Sequence, residues 1–151
     1  MAFKHILVPI DFGEVADHAL EVAISFAAAM DAKITLFHAT WVPANAPVSF
    51  GEGFEWPIDA FERQARETLE RAASKARQRY RRIDALVVTG EPREEILAQA
   101  SRLGADLIVM GTHGRRGIAR ALLGSVAERI VRTSPIPVLT VSLAGSDGPK
   151  S

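Results

Sequence analysis

Apolar and polar positions along this 151-residue chain alternate between two periods, five strand-like runs separated by four helical ones. "HILVPI" (5–10) is a continuous apolar run, the pattern of a short strand covered on both faces. From Glu14 the period lengthens: Ala16, Ala19, Leu20, Ala23, Ile24 and Ala27 recur at steps of three and four, one stripe of an amphipathic helix. "KITLFHA" (33–39) predicts a second strand. A helix follows over 59–80, with Phe61, Ala65, Leu69, Ala72 and Ala76 on its apolar face. "DALVVT" (84–89) predicts a third strand and 91–103 a helix with Pro92 in its first turn, where the missing N–H costs nothing. "ADLIVM" (105–110), a helix over 125–133 and "PVLTV" (137–141) complete the series.

Apolar strands separated by helices predict an α/β fold: a single open, doubly wound, five-stranded parallel sheet with helices on both faces. No repeat or linker divides the chain, so one domain is expected over 1–143, with a disordered tail over 144–151. The connection 40–57 is unusually long and carries three prolines, two glycines and both tryptophans. It reads either as a surface excursion or as a wall beside a ligand pocket.

Charge changes the picture only locally. Eighteen basic residues balance eighteen acidic ones, so no global field draws the chain to nucleic acid or an anionic membrane. Six basic residues lie between Arg71 and Arg82, but they end a helix whose first half is acidic, the order its dipole favours. With no cysteine, disulfides and thiolate metal sites are excluded. No segment reaches the length of an apolar membrane span, and the N-terminus meets Asp11 too soon for a signal peptide; a cytoplasmic protein is expected.

The chemistry concentrates in "VMGTHGRRGIARALLGSVAERI" (109–130), which holds four of the eleven glycines. Gly111, Gly114 and Gly117 follow the fourth strand, and Gly124-Ser125 opens the next helix. In a doubly wound sheet, ligands bind at the carboxyl ends of the strands where strand order reverses. Backbone without Cβ can turn its N–H groups onto an anion, and a helix N-terminus adds free donors and a positive dipole end. Ser125 can cap that helix or offer its hydroxyl to a phosphate. Arg115, Arg116 and Arg120 add local positive charge. A Walker A loop is excluded, since no lysine occurs between Lys75 and Lys150, and no dinucleotide fingerprint follows the first strand. Glycines serving only turns and a cap remain the alternative.

Gly111-x-x-Gly114, nine residues, then Gly124-Ser125 resembles the G-2x-G-9x-G-[S/T] signature of the universal stress protein family. The resemblance extends to "ILVPIDF" with Asp11, "LFHA", "VVTGEP" and "SPIPVLTV", nearly the whole chain. It implies a Rossmann-like fold of the adenine nucleotide alpha hydrolase type, and ATP as ligand with Mg2+ accompanying the triphosphate. Pro9, Ile10 and Asp11 would line the adenine and ribose side, and Ala39 the adenine edge. Met110 and Gly111 would pass under the ribose. His113, Gly114, Arg116, Gly124, Ser125 and Val126 would surround the phosphates. Pairing of last strands implies a homodimer through Val138, Leu139, Thr140 and Val141. Two departures stand out: Gly13 replaces a common serine, and Ala39 is smaller than the usual valine.

Asp11 also has a plain reading as the cap of the first helix. His5, His18 and His38 read as structural. No base for ATP hydrolysis, Ser-His-Asp arrangement or carboxylate pair stands out, so binding without efficient turnover is expected. A slow ATPase and a nucleotide-free interaction module are the rival expectations.

Overall fold

A computed structural model describes residues 2–41, 57–113 and 123–143. Five strands and four helices alternate: β1 His5–Pro9, α1 Glu14–Met30, β2 Lys33–Thr40, α2 Ile58–Arg77, β3 Ile83–Thr89, α3 Pro92–Leu103, β4 Leu107–Gly111, α4 Ser125–Thr133 and β5 Val138–Val141. All pairings are parallel, in the order β3-β2-β1-β4-β5. The chain winds outward from β1 to β3, then crosses back to β4 beside β1. The order therefore reverses between β1 and β4, as a doubly wound sheet requires.

Alternation along the strands builds two apolar layers. On one face Ile6, Val8, Ile34, Leu36 and Val109 pack under α1 and α2. On the other, Leu7, Phe37, Ile108 and Met110 pack under α3 and α4. Continuous apolar runs follow from this double covering, since both sets of side chains are removed from water. The α1 stripe holds at Ala16, Ala19, Leu20, Ala23 and Ala27, all buried, while Ile24 is half-buried. Small side chains there let the helix lie close to the sheet.

Three expectations shift. Helix α2 ends at Arg77 rather than Tyr80. Tyr80 leaves the helix so that its hydroxyl can donate to the carbonyl of Ala32 at 2.5 Å, tying the segment before β3 to the one before β2. On α2 it is Ala73 rather than Ala72 that is buried, and Phe61 is 44% exposed. Strand β4 starts at Leu107 because Asp106 serves another purpose: its carboxylate accepts the amides of Lys4 (2.9 Å) and His5 (3.0 Å).

The basic run at the end of α2 is held by ion pairs and carbonyls. Arg77 pairs with Glu70 at 2.5 Å and donates to the carbonyl of Ile83. Arg79 pairs with Glu21, and Arg82 with Asp31 at 3.1 Å. Being largely exposed, these pairs contribute little stability each, but they give the cluster a local structural use.

Candidate functional site

The carboxyl ends of β1, β2 and β4 meet at the switch point, and most of the expected site residues are brought there. Pro9 ends β1, and Ile10 and Asp11 follow it. Ala39 lies at the end of β2, Met110 and Gly111 end β4, and His113 follows. The amide of Gly124 donates to the carbonyl of Thr112 at 2.6 Å, which pins the start of α4 to the end of β4. The amide of Thr112 donates in turn to Val141 at the end of β5. Gly124, Ser125 and Val126 thus stand beside Gly111 through a hydrogen-bonded corner. Gly114 and Arg116 lie outside the described residues, as do Arg115, Gly117, Arg120 and most of the 40–57 connection.

The turn after β1 is built by Asp11, and here the capping expectation is corrected. The residue preceding α1 is Gly13, with no side chain capping the helix. Asp11 Oδ1 instead accepts the amide of Gly13 at 2.8 Å, closing an Asx turn around Phe12. Phe12 sits at φ 64°, left-handed backbone that is uncommon for a bulky residue and costs about 1–3 kcal/mol. Its ring packs on His38 with centroids 4.6 Å apart. That strained corner turns the chain away from β2 and opens the edge of the sheet.

The helix corner corrects a second capping expectation. Gly124 is the residue before α4, Ser125 is the first helical residue, and among the described residues no side chain caps the helix. The first amides of α4 therefore keep the donor capacity expected of a helix start. Gly124 itself is extended, φ −62° and ψ 162°, a conformation open to any residue. Its glycine is not explained by backbone strain.

At Gly111 the structure supplies a packing reason. A Cβ there would fall 2.7 Å from Val15 Cγ1, at the start of α1. The missing side chain lets helix and strand approach one another. His113 Nδ1 lies 3.1 Å from Thr112 Oγ1, while its buried Nε2 has no hydrogen-bond partner among the described residues. An orphaned buried nitrogen is costly and signals a missing partner.

At the opposite, amino end of the sheet, a shallow depression of about 350 Å³ is lined in part by Lys33, Thr35, Arg77, Asp84 and Arg102. None of the expected site residues borders it. Its charges are largely consumed: Lys33 pairs with Asp84 at 2.8 Å and Arg77 with Glu70. Thr35 is buried and bonded to His5 Nε2 at 2.7 Å. Burial, and then the charge of Lys33, push the His5 imidazole below its ordinary pKa. This end is a self-satisfied structural network. Among the described residues no group of three or more histidines or carboxylates could hold a metal ion, and no helix is long and apolar enough to cross a membrane.

His38, expected to be structural, donates Nδ1–H to the Ile10 carbonyl at 2.7 Å, at the carboxyl end of β1.

Comparison with known proteins agrees with this architecture. Residues 2–142 match the model of the universal stress protein family. The chain is similar to a universal stress protein of Thermus aquaticus, 38% identical over 92% of this chain and 98% of the other. Against the universal stress protein MJ0531 of Methanocaldococcus jannaschii it is 32% identical, over 92% of this chain and 82% of the relative. Among solved structures, the universal stress protein of Archaeoglobus fulgidus in complex with dAMP superposes with a TM-score of 0.66 at 25% identity, covering 93% of this chain and 99% of that one. The chain belongs to the universal stress protein family.

Proposed function

We propose that this protein binds an adenine nucleotide, ATP with Mg2+ in its physiological form, at the carboxyl edge between β1 and β4. The observation that carries the reading is the convergence of a helix start, Gly124 to Val126, with no side-chain cap among the described residues, on the end of β4 at Gly111. Such a corner offers amides and a positive dipole end to phosphate oxygens. The orphaned Nε2 of His113 supplies one more group for a phosphate or ribose oxygen. Gly114, Arg116 and the Ser125 hydroxyl complete the proposed phosphate cradle, with Val126 behind it.

Asp11 has one carboxylate oxygen engaged by Gly13. The other accepts ribose hydroxyls. Ala39 lies on β2 beyond the last residue paired with β1, so its N–H and C=O point past the end of β1. Side by side, they match the N1 acceptor and N6 donor of adenine. Pro9 and Ile10 line the adenine and ribose side, and Met110 and Gly111 pass under the ribose. The complex of the Archaeoglobus fulgidus relative with dAMP supports the adenine assignment. Magnesium would be held by the triphosphate itself, and it supplies charge neutralisation when bound.

The protein acts as a binder whose nucleotide occupancy orders the site, without efficient turnover. It forms a homodimer through the outer edge of β5, Val138, Leu139, Thr140 and Val141, where the first three are half-buried and, among the described residues, only β4 pairs with the strand. Saturating Mg-ATP tests the reading by thermal unfolding. At a hundred times the dissociation constant, binding adds about 2.7 kcal/mol, a rise of roughly 5–10 °C for a domain of this size. An unchanged Tm at millimolar ATP contradicts it. Phosphate release well above buffer rates, abolished by Arg116→Ala, would instead establish a slow ATPase.

A further inference from the structure

The register between β1 and β2 dictates which groups should meet where the two strands part. Lys33 donates its amide to the carbonyl of Lys4 at 2.9 Å, and Ile10 donates to Phe37 at 2.7 Å. Strand pairing runs from His5↔Lys33 to Pro9↔Phe37. Two residues further on, the same ladder would bring the Ala39 amide to the Ile10 carbonyl and the Phe12 amide to the Ala39 carbonyl. Among the described residues neither bond forms. β2 itself stays extended here, since Ala39 and Thr40 remain paired with Val88 and Thr89 of β3. The ladder stops where β1 departs, and there the Ile10 carbonyl, which has room for two donors, takes a hydrogen bond from a side chain rather than from Ala39.

That donor is His38. Its Nδ1 lies 2.7 Å from the Ile10 oxygen. A carbonyl only accepts, so Nδ1 carries the proton. The ring is braced by Phe12, at 4.6 Å between centroids, and Phe12 is the residue held at φ 64°. One side chain therefore occupies the carbonyl that would have closed over Ala39 and supports the corner that removes the Phe12 amide.

We infer that His38 is a positioning residue for the nucleobase: by holding the Ile10 carbonyl, it keeps the Ala39 amide and carbonyl open to a base edge. The inference rests on the adenine-nucleotide reading for the identity of that base. Ala39 presents its donor and acceptor in a fixed order along the strand. Guanine carries the inverse order at the corresponding ring positions, so it would meet like groups. Holding Ala39 open thus sets base preference as well as affinity.

Two variants test this, His38→Leu and His38→Asn, the latter placing an amide N–H near the position of Nδ1. In the ligand-free protein, the Ala39 amide should exchange freely in the parent and in His38→Asn. In His38→Leu it should close onto Ile10 and exchange more slowly by about tenfold or more, the protection of one formed hydrogen bond. The ratio of ATP to GTP affinity should fall by about tenfold in His38→Leu and recover in His38→Asn, with tripolyphosphate binding unchanged in both. Three results would overturn the inference: a parent Ala39 amide as protected as its strand neighbours, an ATP to GTP ratio unmoved in His38→Leu, or His38→Asn behaving like His38→Leu. A parent that binds no adenine nucleotide refutes the proposed function instead, and the exchange comparison still decides what His38 does.

Discussion

Gly111 and Val15 occupy a space with room for only one side chain. The Cβ that Gly111 lacks would lie 2.7 Å from Val15 Cγ1. Gly111→Ala should therefore destabilise the fold by about 1–3 kcal/mol through overpacking. Val15→Ala removes the clashing methyl, so the double variant should recover part of that loss. Urea unfolding of the four proteins in a double-mutant cycle checks it, with a coupling of about 1 kcal/mol or more expected. Additive losses would mean that the glycine answers to something other than α1.

Asp106 fastens the amino end of β1 to the start of β4 by accepting the amides of Lys4 and His5. Removing the carboxylate leaves the part-buried His5 amide without its acceptor and returns the exposed Lys4 amide to water, which together costs about 1–3 kcal/mol. Asp106→Ala should lower the unfolding midpoint accordingly, while Asp106→Asn, which retains one acceptor oxygen, should lose less. Nucleotide affinity should be the same in both, because this fastening lies at the far end of the sheet from the site.

His5 gives the fold a pH dependence of known sign. Burial and Lys33 hold its pKa below the ordinary value, so the unfolded chain takes up the proton more readily. The stabilisation from keeping His5 neutral is complete above the ordinary histidine range. It is lost as pH falls through that range toward the depressed pKa. His5→Gln retains a polar partner for Thr35 and should flatten this part of the stability curve. Chemical unfolding of both proteins between neutral and mildly acidic pH provides the measurement. Parallel curves would mean that His5 does not set this pH dependence.

Gly124 distinguishes a ligand requirement from a folding one. Its extended backbone accepts any residue. Gly124→Val should thus change unfolding free energy by less than about 1 kcal/mol, yet obstruct the approach of phosphate to the first amides of α4. Nucleotide affinity should fall by about tenfold or more, the loss of one or more charge-assisted hydrogen bonds. Titration calorimetry beside urea unfolding separates the two effects. A variant that folds and binds as the parent does would leave Gly124 without a ligand role.

The elements were legible because their signals are local. Apolar runs marked the strands, and the α1 stripe from Ala16 to Ala27 matches the buried set except at Ile24. Where two adjacent alanines stand, periodicity could not choose, and Ala73 rather than Ala72 faces the core. Phe61 looked like a core residue by spacing, yet it lies in the first turn of α2 and is largely exposed. The placement of Pro9, Asp11, Ala39 and Gly111 at one sheet edge followed from strand order. Their local uses did not. The grip of His38 on Ile10 spans 28 residues, the bond between His5 and Thr35 spans 30, and the glycine at 111 answers to a valine 96 positions earlier. Such contacts leave no period or spacing in a single sequence. The Asx turn at Asp11 is local, but capping of α1 has the same residue preference, and only the backbone distinguishes them.

Whether nucleotide sits on the carboxyl edge between β1 and β4 is decided by an amide-resolved NMR titration of the full chain with Mg-ATP. Saturable shifts should concentrate at Asp11, Ala39, Gly111, His113 and Gly124 to Val126, with Lys33, Thr35 and Asp84 at the amino end unmoved. Shifts centred on the amino-end depression, or none at millimolar ATP, would refute that placement.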